Sequence, residues 1–177
     1  MPITPFHLGP GAALKAAAPG QVSFTVFGFS QFLIDLEPVT LFFLTGDPAH
    51  PYLHTYLGAT AVAALSVWPG RRVSEWAIRL WNSRLSEAQA RSLHVEPRIS
   101  LREAIAGALL GAYSHVFIDS FMHDDMQPLA PFASGGKFTA VMSIETLQWT
   151  CVAAGAASVA ALYARRRLRR AQIQPPR

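Results

Sequence analysis

His115-Val-Phe-Ile-Asp119-Ser-Phe-Met-His123 closes a long apolar run and sets three metal-capable side chains at intervals of four residues. On a helix, positions i, i+4 and i+8 share a face, each step rising about 6 Å. The stretch therefore lines up an imidazole, a carboxylate and a second imidazole, and Asp124 and Asp125 follow directly. A carboxylate among apolar residues is costly unless it is paired or bound to a metal. This stripe is the expected functional centre, and the fold depends on what encloses it.

The surroundings point to a membrane. Charged residues make up 15% of the 177 and apolar residues 51%, where soluble domains carry roughly a quarter charged. The mean hydropathy of +0.24 is nevertheless low for a bundle of plain anchors. The single cysteine, Cys151, forms no internal disulfide and reads as a core packer among small residues. The first basic residue, Lys15, follows the first apolar stretch, so that stretch lacks the charged start of a signal peptide.

In chain order, residues 5 to 18 are too short to cross a bilayer and are closed by Pro19-Gly20, which predicts a half-helix or re-entrant segment. Residues 22–44 form a first span, interrupted by Asp35-Leu36-Glu37-Pro38, where proline is expected to kink or break the helix. Residues 51–69 form a second span, opened by His54. Residues 71–95 differ: Val73, Trp76, Ala77, Leu80, Leu85 and Ala88 trace an apolar stripe among arginines, the pattern of a helix lying on a membrane surface. The bland reading is a soluble helix packed on the domain. Residues 101–122 form a third span carrying the central stripe, 123–138 a polar loop, 139–163 a fourth span, and 164–177 a basic tail. The expected fold is all-α: an integral membrane bundle of about four spanning helices, a short N-terminal half-helix and a cytoplasmic amphipathic helix.

The basic residues orient this layout. Lys15, the seven arginines from Arg71 to Arg102 and the six from Arg165 to Arg177 fall on one side, with Lys137 alone opposite. The positive-inside rule makes that side, with the C-terminus, cytoplasmic. The same distribution accounts for the pI near 9.7 without a nucleic-acid partner; the partners expected are the lipid bilayer and a lipid-like substrate.

Helical rise places His115 and Asp35 about 20 Å from the cytoplasmic ends of their spans. His7, His54 and Glu145 come from three further segments toward the same middle or outer half of the membrane. Ionisable groups inside spans are expensive and usually face a cavity or pathway. Imidazole with carboxylate suits zinc, and also manganese or iron; three protein ligands and an open position make a catalytic site that can acidify water for attack on an ester or phosphoester. His115, Asp119 and one of His7, His54 or His123 supply such a set. The other acids can hold a second ion, orient a ligand imidazole or act as general base, and Glu37 and Asp119 are the carboxylates expected to act in catalysis. His50, in a turn-rich loop beside Pro51, is taken as solvent-exposed. His94 reads as a surface residue, and Asp47, Asp124 and Asp125 as loop charges, the last two near the site mouth.

Thr4-Pro5-Phe6-His7-Leu8-Gly9, Asp35-Leu36-Glu37-Pro38, His54-Thr55 and Ser114-His115-x3-Asp119, running on to Pro131-Phe132, together resemble one family. It is the family of inner-membrane-associated metal-dependent hydrolases, some of them LexA-regulated. The resemblance implies a bacterial inner-membrane protein with a metal site related to that of zinc-dependent phospholipase C. It implies metal-ligand roles for His7, Asp35, His54, His115 and Asp119. The chain departs from the pattern in having Asp35-x-Glu37 for an Asp-x-Asp pair and Pro51-Tyr52-Leu53-His54 where a His-Arg pair precedes Thr-His. Three rivals stand beside a hydrolase. A bis-histidine haem protein needs no carboxylates, a proton or metal-ion transporter would use the same acids, and a structural protein would use them only to pin helices.

Overall fold

Ser100 starts the helix that carries the central stripe. Its hydroxyl accepts the Glu103 N–H at 3.2 Å and the Glu103 carboxylate accepts the Ser100 N–H at 3.1 Å, a reciprocal cap that satisfies two otherwise orphaned donors. The computed structural model describes residues 5–47, 49–136, 138, 139 and 141–173. Lys137, Thr4 and Arg177, used above for orientation and motif, lie outside the described residues. Among those residues the chain is all-helical, with no strand. A turn at Pro5–His7 leads into α1 (Leu8–Ala17), then α2 (Phe24–Thr45), α3 (Tyr56–Leu65), a π-helical turn at Ser66–Gly70, α4 (Arg71–Ser83), α5 (Glu87–Leu93), α6 (Leu101–Asp119) and α7 (Ile144–Ile173).

The centre is the pair α2 and α6. The Ser23 N–H donates to the Glu103 carbonyl at 3.0 Å, so the two helices start at the same end and run parallel. They approach closely because α6 presents Gly107 and Gly111: a methyl group at Gly111 would collide with the Phe27 carbonyl and the Ser30 hydroxyl, and one at Gly107 with the Ser23 carbonyl. Small residues spaced by four let helix backbones meet in this way. α3 covers the other side of α6, and Val26, Ile34, Val62, Ala108, Val116 and Met126 fill the core between them. α7 packs on α1, where the Gly9 backbone lies against the Cys151 carbonyl. At the far end the Arg165 guanidinium donates to the Ala16 carbonyl at 2.7 Å, so α1 and α7 also run parallel.

Several boundaries differ from expectation. Two helices are long and apolar enough to cross a membrane, Phe24–Thr45 and Ile144–Arg165. The expected 51–69 span is instead the ten-residue α3, started late by the Thr55 cap on the Gly58 N–H and continued through the π turn into α4. α3 plus that turn extends about 22 Å, short of the roughly 30 Å hydrocarbon core. α6 extends about 28 Å and ends at Asp119, three residues before the expected limit. Pro38 does not break α2, which is one helix to Gly46, where a φ of 81° ends it as only glycine readily does. The 71–95 segment is two helices, because Ser86 caps a new one at Glu87; Trp81 and Asn82 fold it back by donating to the Leu93 and Val95 carbonyls. α4 rests on the bundle through Ser74 and Ile78, leaving Val73, Trp76, Ala77 and Leu80 exposed. The stripe is not packed on the protein.

Candidate metal centre

Four segments deliver the polar groups to one place. Asp35 and Glu37 project from the second half of α2, His115 and Asp119 from the last turns of α6, and His54 from the residue before the α3 cap. His7 ends the turn before α1, held by the Gln31 side-chain amide donating to its carbonyl at 3.2 Å. All six are buried, His54 and His115 completely.

One carboxylate organises the cluster. Asp119 Oδ2 lies 3.2 Å from His115 Nε2 and 3.4 Å from His54 Nε2, and Asp35 Oδ1 lies 3.3 Å from His115 Nε2. These are not aligned hydrogen bonds: His54 Nε2 and His115 Nε2 form none although fully buried, and Asp119 Oδ1 has only the contact with His7 Nε2 at 3.3 Å. Zinc bonds of 2.0–2.1 Å in a tetrahedron set neighbouring ligand atoms about 3.3 Å apart. The observed separations match that edge. Asp35, His54, His115 and Asp119 each offer one atom within 4.8 Å of all the others, so this buried group can hold a metal ion.

The remaining groups stand behind these four. Glu37 Oε2 is 3.0 Å from His54 Nδ1, and its carboxylate also accepts the Tyr52 and Leu53 N–H groups. A proton on His54 Nδ1 donated to Glu37 leaves the Nε2 lone pair facing the centre, the orientation that a carboxylate imposes on a ligating imidazole. His7 Nδ1 is 3.3 Å from His115 Nδ1 and His7 Nε2 is 3.3 Å from Asp119 Oδ1. If His115 Nδ1–H donates to His7, both Nε2 lone pairs converge and His7 carries its own proton toward Asp119. His7 thus touches two of the four residues and stands outside their set.

His123 falls elsewhere. α6 stops before it, and the turn at residues 120–122 carries its ring to His50, with centroids 4.2 Å apart. His50, expected at the surface, is buried: its N–H and its Nδ1 both reach Asp125 Oδ2, at 3.0 and 2.8 Å. Burial pushes the His123 imidazole below its usual range. Burial acts to raise Asp125, but the bonds from His50 prevail and hold its carboxyl below the ordinary value. Glu145, expected to face the centre, is exposed at the start of α7, as are Asp47, His94 and Asp124. The Glu37–His54 contact and the role of His50 escape a reading by spacing, though two histidines separated by three residues were the available signal.

No protein family, curated protein or solved structure matches the chain.

Proposed function

We propose that this chain is a membrane-embedded, metal-dependent hydrolase of ester or phosphoester bonds in a lipid-like substrate, related to the inner-membrane hydrolases that its motifs resemble. The observation that carries the reading is the set of buried imidazole nitrogens and carboxylate oxygens that face one another without aligned hydrogen bonds, at the spacing of metal ligands. Asp35, His54, His115 and Asp119 would hold the ion, and two imidazoles with two carboxylates suit zinc, with manganese and iron also served by such donors. With four protein ligands the ion would need a fifth coordination position, or release of one carboxylate, to acidify a water and polarise a carbonyl or phosphoryl oxygen. The protein's own part is orientation: Glu37 fixes the His54 tautomer, and His7 bridges His115 and Asp119. The carboxylate surplus also disfavours a bis-histidine haem.

The membrane setting rests on separate features. Phe43, Leu44, Trp68, Phe132 and Trp149 are all at least 66% exposed, a large apolar surface that a soluble monomer rarely shows. Arg71, Arg72 and Arg165 lie at the end of the bundle opposite the metal centre, which the positive-inside rule assigns to the cytoplasm of a bacterial inner membrane. α4 lies on that surface with Trp76 at headgroup level. α2 and α7 cross fully, and α3 and α6 complete a four-helix bundle whose site opens toward the outer half.

Elemental analysis of detergent-purified full chain tests the reading. Metal per chain is expected to fall by one ion in both His115→Ala and Asp119→Ala, and turnover of a chromogenic phosphoester or a phospholipid is expected to follow metal loading. An ion bound without hydrolysis, with ion flux in liposomes, would replace the hydrolase by a transporter. No ion in wild type, with both variants folded, would leave the structural rival.

A further inference from the structure

The loops beyond the buried centre hold a second group of ligating side chains. His50 comes from the loop between α2 and α3, and His123 and Asp125 from the loop after α6. Each offers one ligand atom within 4.8 Å of the other two. His50 is buried, His123 half-buried and the Asp125 side chain 47% exposed. The group therefore has an inner wall and an open side.

We propose that His50, His123 and Asp125 form a second divalent-cation site at the mouth of the first, with coordination positions left for solvent and substrate. The donor set is two imidazoles and one carboxylate, the three-ligand open arrangement of catalytic zinc sites. The two sites are adjacent through side-chain contact: ring centroids step from His115 to His54 at 5.3 Å, from His54 to His50 at 4.6 Å and from His50 to His123 at 4.2 Å. His50 and His123, their ring planes tilted by 34°, meet beside a carboxylate from a loop 75 residues on, an arrangement with little structural purpose that one hydrogen bond would not serve. Asp125 already fixes His50 through both the backbone and the ring, so the loop arrives organised.

The inference rests on the hydrolase reading and narrows its substrate. Paired cations about 3.5–4 Å apart suit in-line displacement at phosphorus, where attacking and leaving oxygens each lie against a charge. If the two adjacent sites hold their ions at that spacing, a phosphoester is the class indicated over a carboxylic ester.

The test is Zn²⁺ and Mn²⁺ binding to full-length protein in detergent after equilibrium dialysis, for wild type, Asp119→Ala, His123→Gln and Asp125→Asn. The last two are conservative loop changes, and the inner ion they retain reports that the chain is folded. Two ions in wild type, falling to one in each loop variant, with a spin-coupled Mn²⁺ signal lost in both, is the expected result. Two ions unaffected by either loop variant would overturn the second site. One ion in wild type, lost in Asp119→Ala and kept in Asp125→Asn, would overturn it while sparing the first centre. No ion in any of the proteins would remove both.

Discussion

Glu37 contacts one residue of the four-residue centre, His54. Its carboxylate is 3.0 Å from His54 Nδ1, 2.9 Å from the Tyr52 nitrogen and 2.9 Å from the Leu53 nitrogen. Glu37→Gln keeps shape and volume but exchanges one acceptor oxygen for an NH₂ donor. If that donor takes the Oε1 position, the Tyr52 N–H loses its partner while Leu53 keeps Oε2, a cost of about 1–3 kcal/mol in a buried setting. If it faces His54, Nδ1 can only accept, so the ring proton moves to Nε2 and blocks the lone pair that would meet the metal. Loss of a partner behind a ligating histidine costs roughly 10–100-fold in metal affinity, or about 1.4–2.7 kcal/mol. Competition between detergent-purified protein and a chromogenic chelator at fixed pH measures this directly, with Asp119→Ala as the reference for complete loss. A Glu37→Gln protein that keeps its helical circular dichroism and binds metal within about threefold of wild type, far inside that range, would refute the positioning role.

Three further outcomes follow from the same geometry. Gly111→Val forces a branched side chain into the Phe27 carbonyl and Ser30 and is expected to lower stability by about 1–3 kcal/mol or more, read as a drop in thermal midpoint; unchanged stability would contradict the close α2–α6 approach. Metal affinity is expected to fall as pH drops, by at most two protons per ion at the inner centre, because His54 and His115 must be neutral to ligate; a pH-independent dissociation constant between pH 5 and 8 would exclude both histidines. In a variant retaining Trp76 alone among the four tryptophans, brominated phospholipid is expected to quench the fluorescence and aqueous acrylamide to leave it largely intact; the reverse would lift α4 off the membrane.

Much of the site was legible because its residues obey local periodicity. His115 and Asp119 are one helical turn apart and share a wall, as their spacing requires. Asp35 sits 13 residues into a run that starts beside the start of α6, so helical rise alone brings it level with His115. His123 broke the pattern because periodicity holds only while the helix lasts, and α6 ends at Asp119. His50 was misjudged for the complementary reason: proline and turn residues predict a loop correctly, but they say nothing of what lies over it, and here Asp125 does. The Glu103 cap was readable in Ser100-x2-Glu103, whereas the bond from Ser23 to the Glu103 carbonyl, which makes α2 and α6 parallel, has no local signature. Gly107-x3-Gly111 was in plain view as a packing motif and passed unread.

The choice between a functional centre and a structural polar network turns on what a buried network needs in order to stabilise. Hydrogen bonds add to stability only when every member is satisfied, and an unsatisfied buried donor or acceptor costs about 1–3 kcal/mol. The innermost atoms of this cluster face one another at 3.2–3.4 Å without aligned hydrogen bonds, so at that cost per atom the cluster adds little as a purely structural device. The surrounding contacts are of the opposite kind. Glu37 satisfies two backbone donors and a ring nitrogen, Gln31 holds the His7 carbonyl, and Thr55 caps the helix behind His54. A fold that satisfies its supporting groups so fully while leaving the innermost atoms facing one another has room and ligands for a cation. Replacing the inner carboxylate with an apolar residue of similar size should then stabilise the metal-free chain while destroying its metal binding, the opposite of what a helix-pinning role requires.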